Sequence, residues 1–437
     1  MSIKKVSVIG AGLAGCEAAY QLAKRGVEVD LYDIKPHKFT PAHSNPNLAE
    51  IVCSNSLKST DLTTASGLLK KELELFDSLI LKTGYNNSVP AGNALAVDRE
   101  KFAEDITKKI KSFKNINFIS KEVTEIPEGI VIIATGPLTT DALSQNLKTI
   151  FNTDSLHFYD ASSPIIEASS IDMSVAFVKD RYDKGSGDYI NCPMTKEEYL
   201  VFYNELISAN RVELKDFEKK DIFEGCMPIE IMAKRGPDSI RFGPLKPVGL
   251  DNPVTKQKYY AVVQLRKEDN INNLYNMVGF QTNLTFPEQK RVFSLIPGLN
   301  KANFIKYGVM HRNTYINAPQ LLKNTFQLKQ DENIFIAGQL SGVEGYMEST
   351  MSGLICGINA YNLINNQPLL NLSSNTMTGA ITNYITICEA KRFQPMNANF
   401  GIISPLPEKE RDDKIKKQKI VDRAIEEIKQ VLNNIGD

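Results

Sequence analysis

The apolar pattern of the first 33 residues specifies a βαβ unit. "VSVIGAG" predicts a buried strand ending in glycines, and Ala18, Ala19, Leu22 and Ala23 recur at helical spacing. "VEVDLYD" predicts a second strand ending at Asp33. After a polar, loop-like stretch, "KPHKFTPAHSNPNLAEIVCSNSLKS", one helix is expected from about Thr63 to Lys82. Its apolar face is marked by Leu68, Leu69, Leu73, Phe76, Leu79 and Ile80. "IVIIATGPL" supplies another buried strand, closing on an Ala-Thr-Gly turn at Gly136. From Ser162 to Met310 the pattern changes to mixed strands and helices with many aromatic and charged residues, as an inserted module would show. "NIFIAGQLSGVEGYMESTMSGLICGINA" then returns to strand, glycine loop and small-residue helix. In the charged tail, Ile415, Ile420, Val421, Ala424, Ile425, Ile428 and Leu432 are spaced as an amphipathic helix docked on the body, rather than as a nucleic-acid arm.

Glycines Gly10, Gly12 and Gly15, with Ala11, Leu13 and Ala14 between them, form G-x-G-x-x-G between the first strand and the first helix. With Asp33 at the end of the second strand, this is the fingerprint for binding a dinucleotide. Small residues let the backbone approach a pyrophosphate, the helix N-terminus stabilises its charge, and the acid accepts a ribose hydroxyl. The Ala-Thr-Gly turn commonly accompanies flavin-binding doubly wound domains. The expected fold is therefore α/β, a Rossmann-like FAD-binding domain of the glutathione-reductase type with a smaller inserted α+β domain. The FAD-binding part is expected over 1–160 and 311–407, the insert over 161–310 and the C-terminal helix over 408–437.

Composition changes this picture little. The 437 residues are 42% apolar and 23% charged, ordinary for a soluble globular protein, and no run approaches the roughly 20 apolar residues of a membrane span. The N-terminus enters a strand rather than a signal peptide, which makes the cytoplasm the expected compartment. The 51 basic and 51 acidic side chains balance, so an RNA partner would have to be held by a local basic patch. Abundant Lys, Asn and Ile with no Trp suggest an AT-rich genome.

Six cysteines with no C-x-x-C pair argue against zinc or a disulfide framework, and no metal site is expected. Cys16, Cys192, Cys356 and Cys388 read as packing residues. Cys53 and Cys226 differ. The first precedes "SNSLKS", a cluster of small hydrogen-bonding residues; the second sits between Gly225 and Pro228, with Lys219, Lys220, Lys234, Arg235, Arg241 and Lys246 nearby. Such cations lower a thiol pKa, hold phosphates, or simply form a solvated face, and spacing alone leaves these open.

"TPAHSNPNLAEIVCSNSLKS", "VPAGNALAVDRE", "RYDKGSGDYINCPMTKEEY", "FEGCMPIEIMAKRG", "FGPLKPVGL", "YGVMHRNTYINAP" and "AGQLSGVEGYMES" run in order along essentially the whole chain. Together they resemble the signature blocks of the folate- and FAD-dependent RNA uracil-5-methyltransferases, the TrmFO family. One departure is Asn93, where that family's pattern has a second glycine; it bears on the shape of a loop expected near the flavin.

The resemblance implies FAD as cofactor, 5,10-methylenetetrahydrofolate as carbon donor, NADPH or NADH as reductant, and methylation of a uridine at C5. Uracil C5 is a weak nucleophile until something adds to C6, and a thiolate suits that addition. By motif, Cys226 would add to C6, and Cys53 would act beside the flavin on the methylene carrier or on the C5 proton. Arg235, Lys246, His311 and Arg312 would hold RNA or folate, although His311 could equally be a core histidine. Gly136, Gly338, Glu344 and Gly345 would line the cofactor, and Glu344 and Glu348 would contact flavin or folate or stabilise their own helix N-terminus. The family's usual target is the T-loop uridine of tRNA, and a paralogous branch acts on 23S ribosomal RNA. A related, longer family modifies wobble uridines, and a flavoprotein that has lost catalysis is the remaining alternative.

Overall fold

The computed structural model describes residues 5–40, 42–151, 156–161, 163–183, 187–212, 227–268, 273–308, 310–390, 393–408 and 410–435. The Lys5–Ile9 strand lies at the centre of a five-stranded sheet, between Ile130–Ile133 and Glu28–Asp33; Ile334–Ile336 and Ile116–Ser120 form the edges. All pairs are parallel, and Val6 stands opposite Val29 on one side and Ile130 on the other. A parallel sheet is covered on both faces, which is why its central strands read as continuous apolar runs.

The helix that follows the first strand, Leu13–Ala23, is buried along its whole length and packs against the Tyr346–Ile364 helix. The small-residue pattern of the later helix has a steric cause. A Cβ on Gly353 would lie 2.1 Å from the carbonyl oxygen of Ala14, and one on Gly357 would lie 2.8 Å from that of Ala18. Backbone meets backbone along this seam, so side chains cannot intervene.

A second sheet of six strands is antiparallel: Phe177–Val178, Tyr189–Met194, Ala261–Lys267, Leu274–Met277, Ile165–Glu167 and Phe304–Lys306, in that spatial order. The chain enters and leaves this region through an antiparallel pair, Leu156–Ala161 with Met310–Tyr315. Two apolar clusters result. One surrounds the parallel sheet, and the other gathers Met194, Phe202, Phe280 and Phe293 against the antiparallel sheet. A small sheet of Ser56–Ser59, Ala94–Val97 and Ser88–Val89 sits beside the parallel one. No helix among the described residues is long and apolar enough to cross a membrane.

Two expectations about helices are corrected. The single helix expected over about 63–82 is two helices, Ala65–Leu75 and Leu79–Asn86. Asp77 breaks it by adopting φ 56°, and Ser78 caps the second helix by accepting from Leu81 N at 3.3 Å. The buried Glu17 carboxylate holds that cap, accepting from Ser78 Oγ at 2.8 Å and Ile80 N at 3.0 Å. The tail forms the Asp413–Ile435 helix with Ile420, Val421, Ala424 and Ile428 buried, but Ile415 stays 48% exposed and is not part of the docked face.

Candidate functional site

The C-terminal ends of the three central parallel strands open into a cavity of about 420 Å³. Of the residues expected at a cofactor site, Gly10, Ala11, Gly12, Leu13, Ala14, Asp33, Cys53, Gly136, Gly338, Glu344, Gly345 and Glu348 line it, and Gly15 does not. Gly15 is required by packing: a Cβ there would lie 1.7 Å from Gly10 O. Gly10 turns the chain with φ 96°, where a Cβ would come 2.5 Å from Ala134 O. Gly12 is different. Its φ is an ordinary −74°, and a Cβ there would meet no protein atom within 4 Å. The protein has no internal need for this glycine, so the space it leaves suits a ligand drawn close to the helix N-terminus.

Asp33 accepts from Ala11 N at 2.7 Å through Oδ2 and from Lys35 N at 2.9 Å through Oδ1, which fixes the carboxylate at the strand end with lone pairs left for a ribose hydroxyl. Across the cavity, Glu348 Oε1 accepts from Lys58 Nζ at 3.1 Å and Ala398 N at 3.0 Å. Its Oε2 is buried with no hydrogen-bond partner in the protein. An orphaned carboxylate oxygen in a cavity wall calls for a donor from a bound molecule. The open space at Gly12, the fixed Asp33 and the orphaned Glu348 fit a dinucleotide cofactor.

Cys53 enters this cavity on a loop tied down from three sides. Tyr346, the first residue of its helix, accepts at its phenol oxygen from Cys53 N at 3.0 Å and Ser54 N at 3.3 Å, and the same oxygen lies 3.1 Å from Cys53 Sγ. With two N–H donors on the oxygen, its proton is directed at the sulfur. Burial, and next the neighbouring Cys53, pushes the Tyr346 phenol well above its ordinary pKa, so that proton is retained. On the second side, Arg99 Nη1 donates to the carbonyls of Ile51 at 3.2 Å and Val52 at 2.9 Å. Its Nε and Nη2 reach the buried Glu268 at 2.7 and 3.3 Å. Burial opposes the charge on Arg99, and Glu268, Tyr346 and Cys53 together more than offset it, leaving the guanidinium pKa above its usual value. On the third side, Arg266 donates to Ser54 Oγ at 2.7 Å and Asn55 Oδ1 at 3.1 Å, while Asn55 Nδ2 donates to Lys267 O at 2.9 Å. Arg99 and Lys306 both interact electrostatically with Cys53, while the carboxylate of Glu268 acts on both cations and that of Glu50 on Lys306.

The other cysteines behave as packing residues to differing degrees. Cys16 donates to Ala11 O at 3.2 Å, and burial pushes the thiols of Cys16 and Cys356 up; that of Cys192 rises to about 12. Cys388, at the end of the Met377–Ile387 helix, is only partly buried but packs against the apolar cluster around the parallel sheet, as a packing residue would. Cys226 lies outside the described residues, as do the side chains of His311 and Arg312, whose backbone belongs to the Met310–Tyr315 strand. Arg235 and Lys246 are exposed and do not line the cavity. The loop of Asn93 also lies off the cavity: its neighbours line a separate depression, the positive φ of the turn falls on Gly92, and Gly92 N donates to Asp188 Oδ2 at 2.8 Å.

Tyr346, Arg99, Arg266 and Glu268 were not singled out in the sequence. Two of them stood inside quoted blocks, Arg99 in "VPAGNALAVDRE" and Tyr346 in "AGQLSGVEGYMES". Block membership was the available signal, because each acts through a partner far away in the chain.

Comparison with known proteins agrees with this geometry. Residues 5–368 match the family described as glucose inhibited division protein A. A curated relative from Brevibacillus brevis is 54% identical over 98% of this chain and 98% of its own. One from Bacillus subtilis is 53% identical over 100% of both chains. Both are named methylenetetrahydrofolate–tRNA-(uracil-5-)-methyltransferase TrmFO. Among solved structures, Aquifex aeolicus GidA has the same fold, with a TM-score of 0.70 at 15% identity over 98% of this chain and 74% of its own. The chain belongs to the glucose inhibited division protein A family and, within it, to the TrmFO group.

Proposed function

We propose that this protein is a folate- and FAD-dependent RNA methyltransferase that forms 5-methyluridine in tRNA, at the T-loop uridine. The observation that carries the reading is the shared cavity: Cys53 opens into the same space as Gly12, Asp33 and the orphaned oxygen of Glu348. A thiol held beside a dinucleotide site is the arrangement a carbon-transfer reaction at a cofactor requires.

Asp33 would hold the adenosine ribose, the N-terminus of the Leu13–Ala23 helix the pyrophosphate, and Glu348 with Lys58 the polar edge of the ring system. FAD, when bound, supplies the redox chemistry that converts the methylene unit of 5,10-methylenetetrahydrofolate to a methyl group, with NADPH or NADH as the electron source. Tyr346 orients the Cys53 sulfur, and Arg99 fixes the carbonyls that precede it. Cys226 is assigned addition to uridine C6, which raises electron density at C5; after the carbon is attached there, loss of the C5 proton, for which Cys53 is a candidate acceptor, reforms the C5–C6 double bond and expels the thiolate. We read residues 1–160 and 311–407 as the nucleotide-binding body, 161–310 as the RNA-facing insert and 408–437 as a docked helix. An RNA substrate of this kind places the protein in the cytoplasm.

The test uses purified protein with reduced nicotinamide, methylenetetrahydrofolate and unmodified transcripts of tRNA and of 23S ribosomal RNA fragments, with 5-methyluridine read by mass spectrometry. Product on tRNA is expected, and at least a thousandfold slower formation in both Cys226→Ala and Cys53→Ala, on the order of a lost nucleophile or acid–base group. Product on the ribosomal fragment alone would move the protein to the ribosomal branch. Unchanged turnover in either variant would remove that cysteine from its role.

A further inference from the structure

The strand that holds the Cys53 loop also holds a rim of exposed aromatic residues. Gln264 and Arg266 are two apart on the Ala261–Lys267 strand, so their side chains leave one face about 7 Å apart. Arg266 binds Ser54 and Asn55, and Gln264 Oε1 accepts from Arg181 Nη2 at 3.0 Å. Arg181 also donates to the carbonyls of Lys246, at 2.9 Å, and Val248. Its guanidinium is thus occupied in stapling the 242–249 loop to the sheet, one strand step from the reactive thiol's loop.

That staple presents Tyr182. Its φ is 60°, a left-handed conformation uncommon and costly for a bulky side chain, and the residue is 56% exposed. The ring lies over Gly249, where a Cβ would come within 2.8 Å of it. On the stapled loop, Phe242 is 61% exposed, with the Arg241 guanidinium 4.6 Å from its ring centroid. The same guanidinium lies 4.1 Å from the Tyr260 ring and donates to Tyr260 O at 3.1 Å. Lys234 and Lys246, in the segment that carries Phe242, are exposed. Of the two acids in 229–250, Glu230 is buried and Asp238 pairs with Arg241 at 3.5 Å. Exposed aromatic faces in a segment with exposed lysines match unpaired bases on a phosphate backbone better than they match a protein face.

We propose that Tyr182 and Phe242 form a stacking platform for the unpaired bases that flank the target uridine in the substrate RNA loop. The proposal rests on the RNA methyltransferase reading above. The left-handed backbone at Tyr182 is then kept because it holds the ring against Gly249, and the Arg241 guanidinium packs on Phe242.

The experiment measures the affinity of the flavin-loaded full-length protein for a labelled T-arm hairpin by fluorescence anisotropy across a salt series, alongside methylation. Tyr182→Ala and Phe242→Ala should each bind roughly 5- to 150-fold more weakly. Tyr182→Phe and Phe242→Trp should restore binding, and the slope of log K against log salt should stay as in the parent protein, because no phosphate contact is removed. Tyr182→Gly relieves the backbone conformation, so it should unfold no more easily than the parent protein and yet bind as weakly as the alanine variant. The platform is overturned if the alanine variants bind like the parent while the parent methylates RNA. It is also overturned if they change the association state in sedimentation and not RNA affinity. A parent protein that neither binds nor methylates either RNA would sink the methyltransferase reading itself, and the platform with it.

Discussion

Glu72, in the Ala65–Leu75 helix, has no exposure to solvent and accepts from Met377 N at 2.6 Å, Thr378 N at 2.8 Å and Thr378 Oγ1 at 2.7 Å. It thereby caps the Met377–Ile387 helix across 305 residues of chain. Burial pushes its carboxyl up to about 7 against the pull of these donors, and Glu427 of the tail helix adds to the push. An unfolded glutamate titrates near ~4.3, so between that pH and about 7 the folded state holds more protons than the unfolded one. Stability therefore falls as pH rises through that window, by about 4 kcal/mol for the whole shift. In Glu72→Gln this dependence should flatten; melting curves from pH 5 to 8 with the parent slope unchanged would rule Glu72 out as its source. Residues like this are hard to see in a sequence because their partners are distant. The glycine triplet and Asp33 were legible, since they lie within one βαβ unit. Tyr346 is 293 residues from Cys53, and nothing local to either marks the pair.

At the scale of elements, apolar periodicity identified the strands and helices that pack on one another, and failed where a break preserves the pattern. Phe76 and Leu79 are both buried, so the stripe continues across the interruption at Asp77, and only the Asp77 backbone and the Ser78–Glu17 cap reveal two helices. Two glycines on the nucleotide side separate packing from binding. Gly353→Val would force a side chain into the Ala14 carbonyl at a seam where both partners are backbone. We expect a loss of about 3 kcal/mol or more in urea unfolding, the upper range for overpacking. Gly12→Ala adds a methyl where the protein leaves open space, so its unfolding midpoint should match that of the parent protein. Its bound flavin, read by absorbance after gel filtration, should be depleted. Retention of full flavin by Gly12→Ala would mean that no ligand approaches this turn, and the cofactor would have to enter the cavity elsewhere.

For the whole molecule, a change of pattern along the sequence suggests an inserted region, but does not tell which strand touches the thiol loop. Arg266 makes that contact directly at Ser54 and Asn55, and a second is made by Arg99 with Glu268, 169 residues apart and joined at 2.7 Å with side chains 17% and 3% exposed. The pair links the start of the Arg99–Ser112 helix to the end of the Ala261–Lys267 strand. Removing one partner leaves a buried charge unpaired, at a cost of ~3–5 kcal/mol, whereas removing both leaves none. Arg99→Ala and Glu268→Ala should therefore each destabilise the protein, and the double variant should fall well short of their sum in urea unfolding. Stability alone would not distinguish a strut from a positioning device. A second readout is the rate at which Cys53 reacts with a disulfide reagent under folded conditions, in a Cys226→Ser, Cys388→Ser background. Arg99 also fixes the carbonyls of Ile51 and Val52, so Arg99→Lys, which keeps the charge but cannot reach both carbonyls and the carboxylate, should alter that rate with a smaller loss of stability. Additive stabilities together with an unchanged Cys53 rate would show that the inserted region meets the thiol loop without setting its geometry. Coupled stabilities and an altered rate would mean that this buried pair, beside the Arg266 contacts, ties the antiparallel sheet to the geometry of the thiol loop.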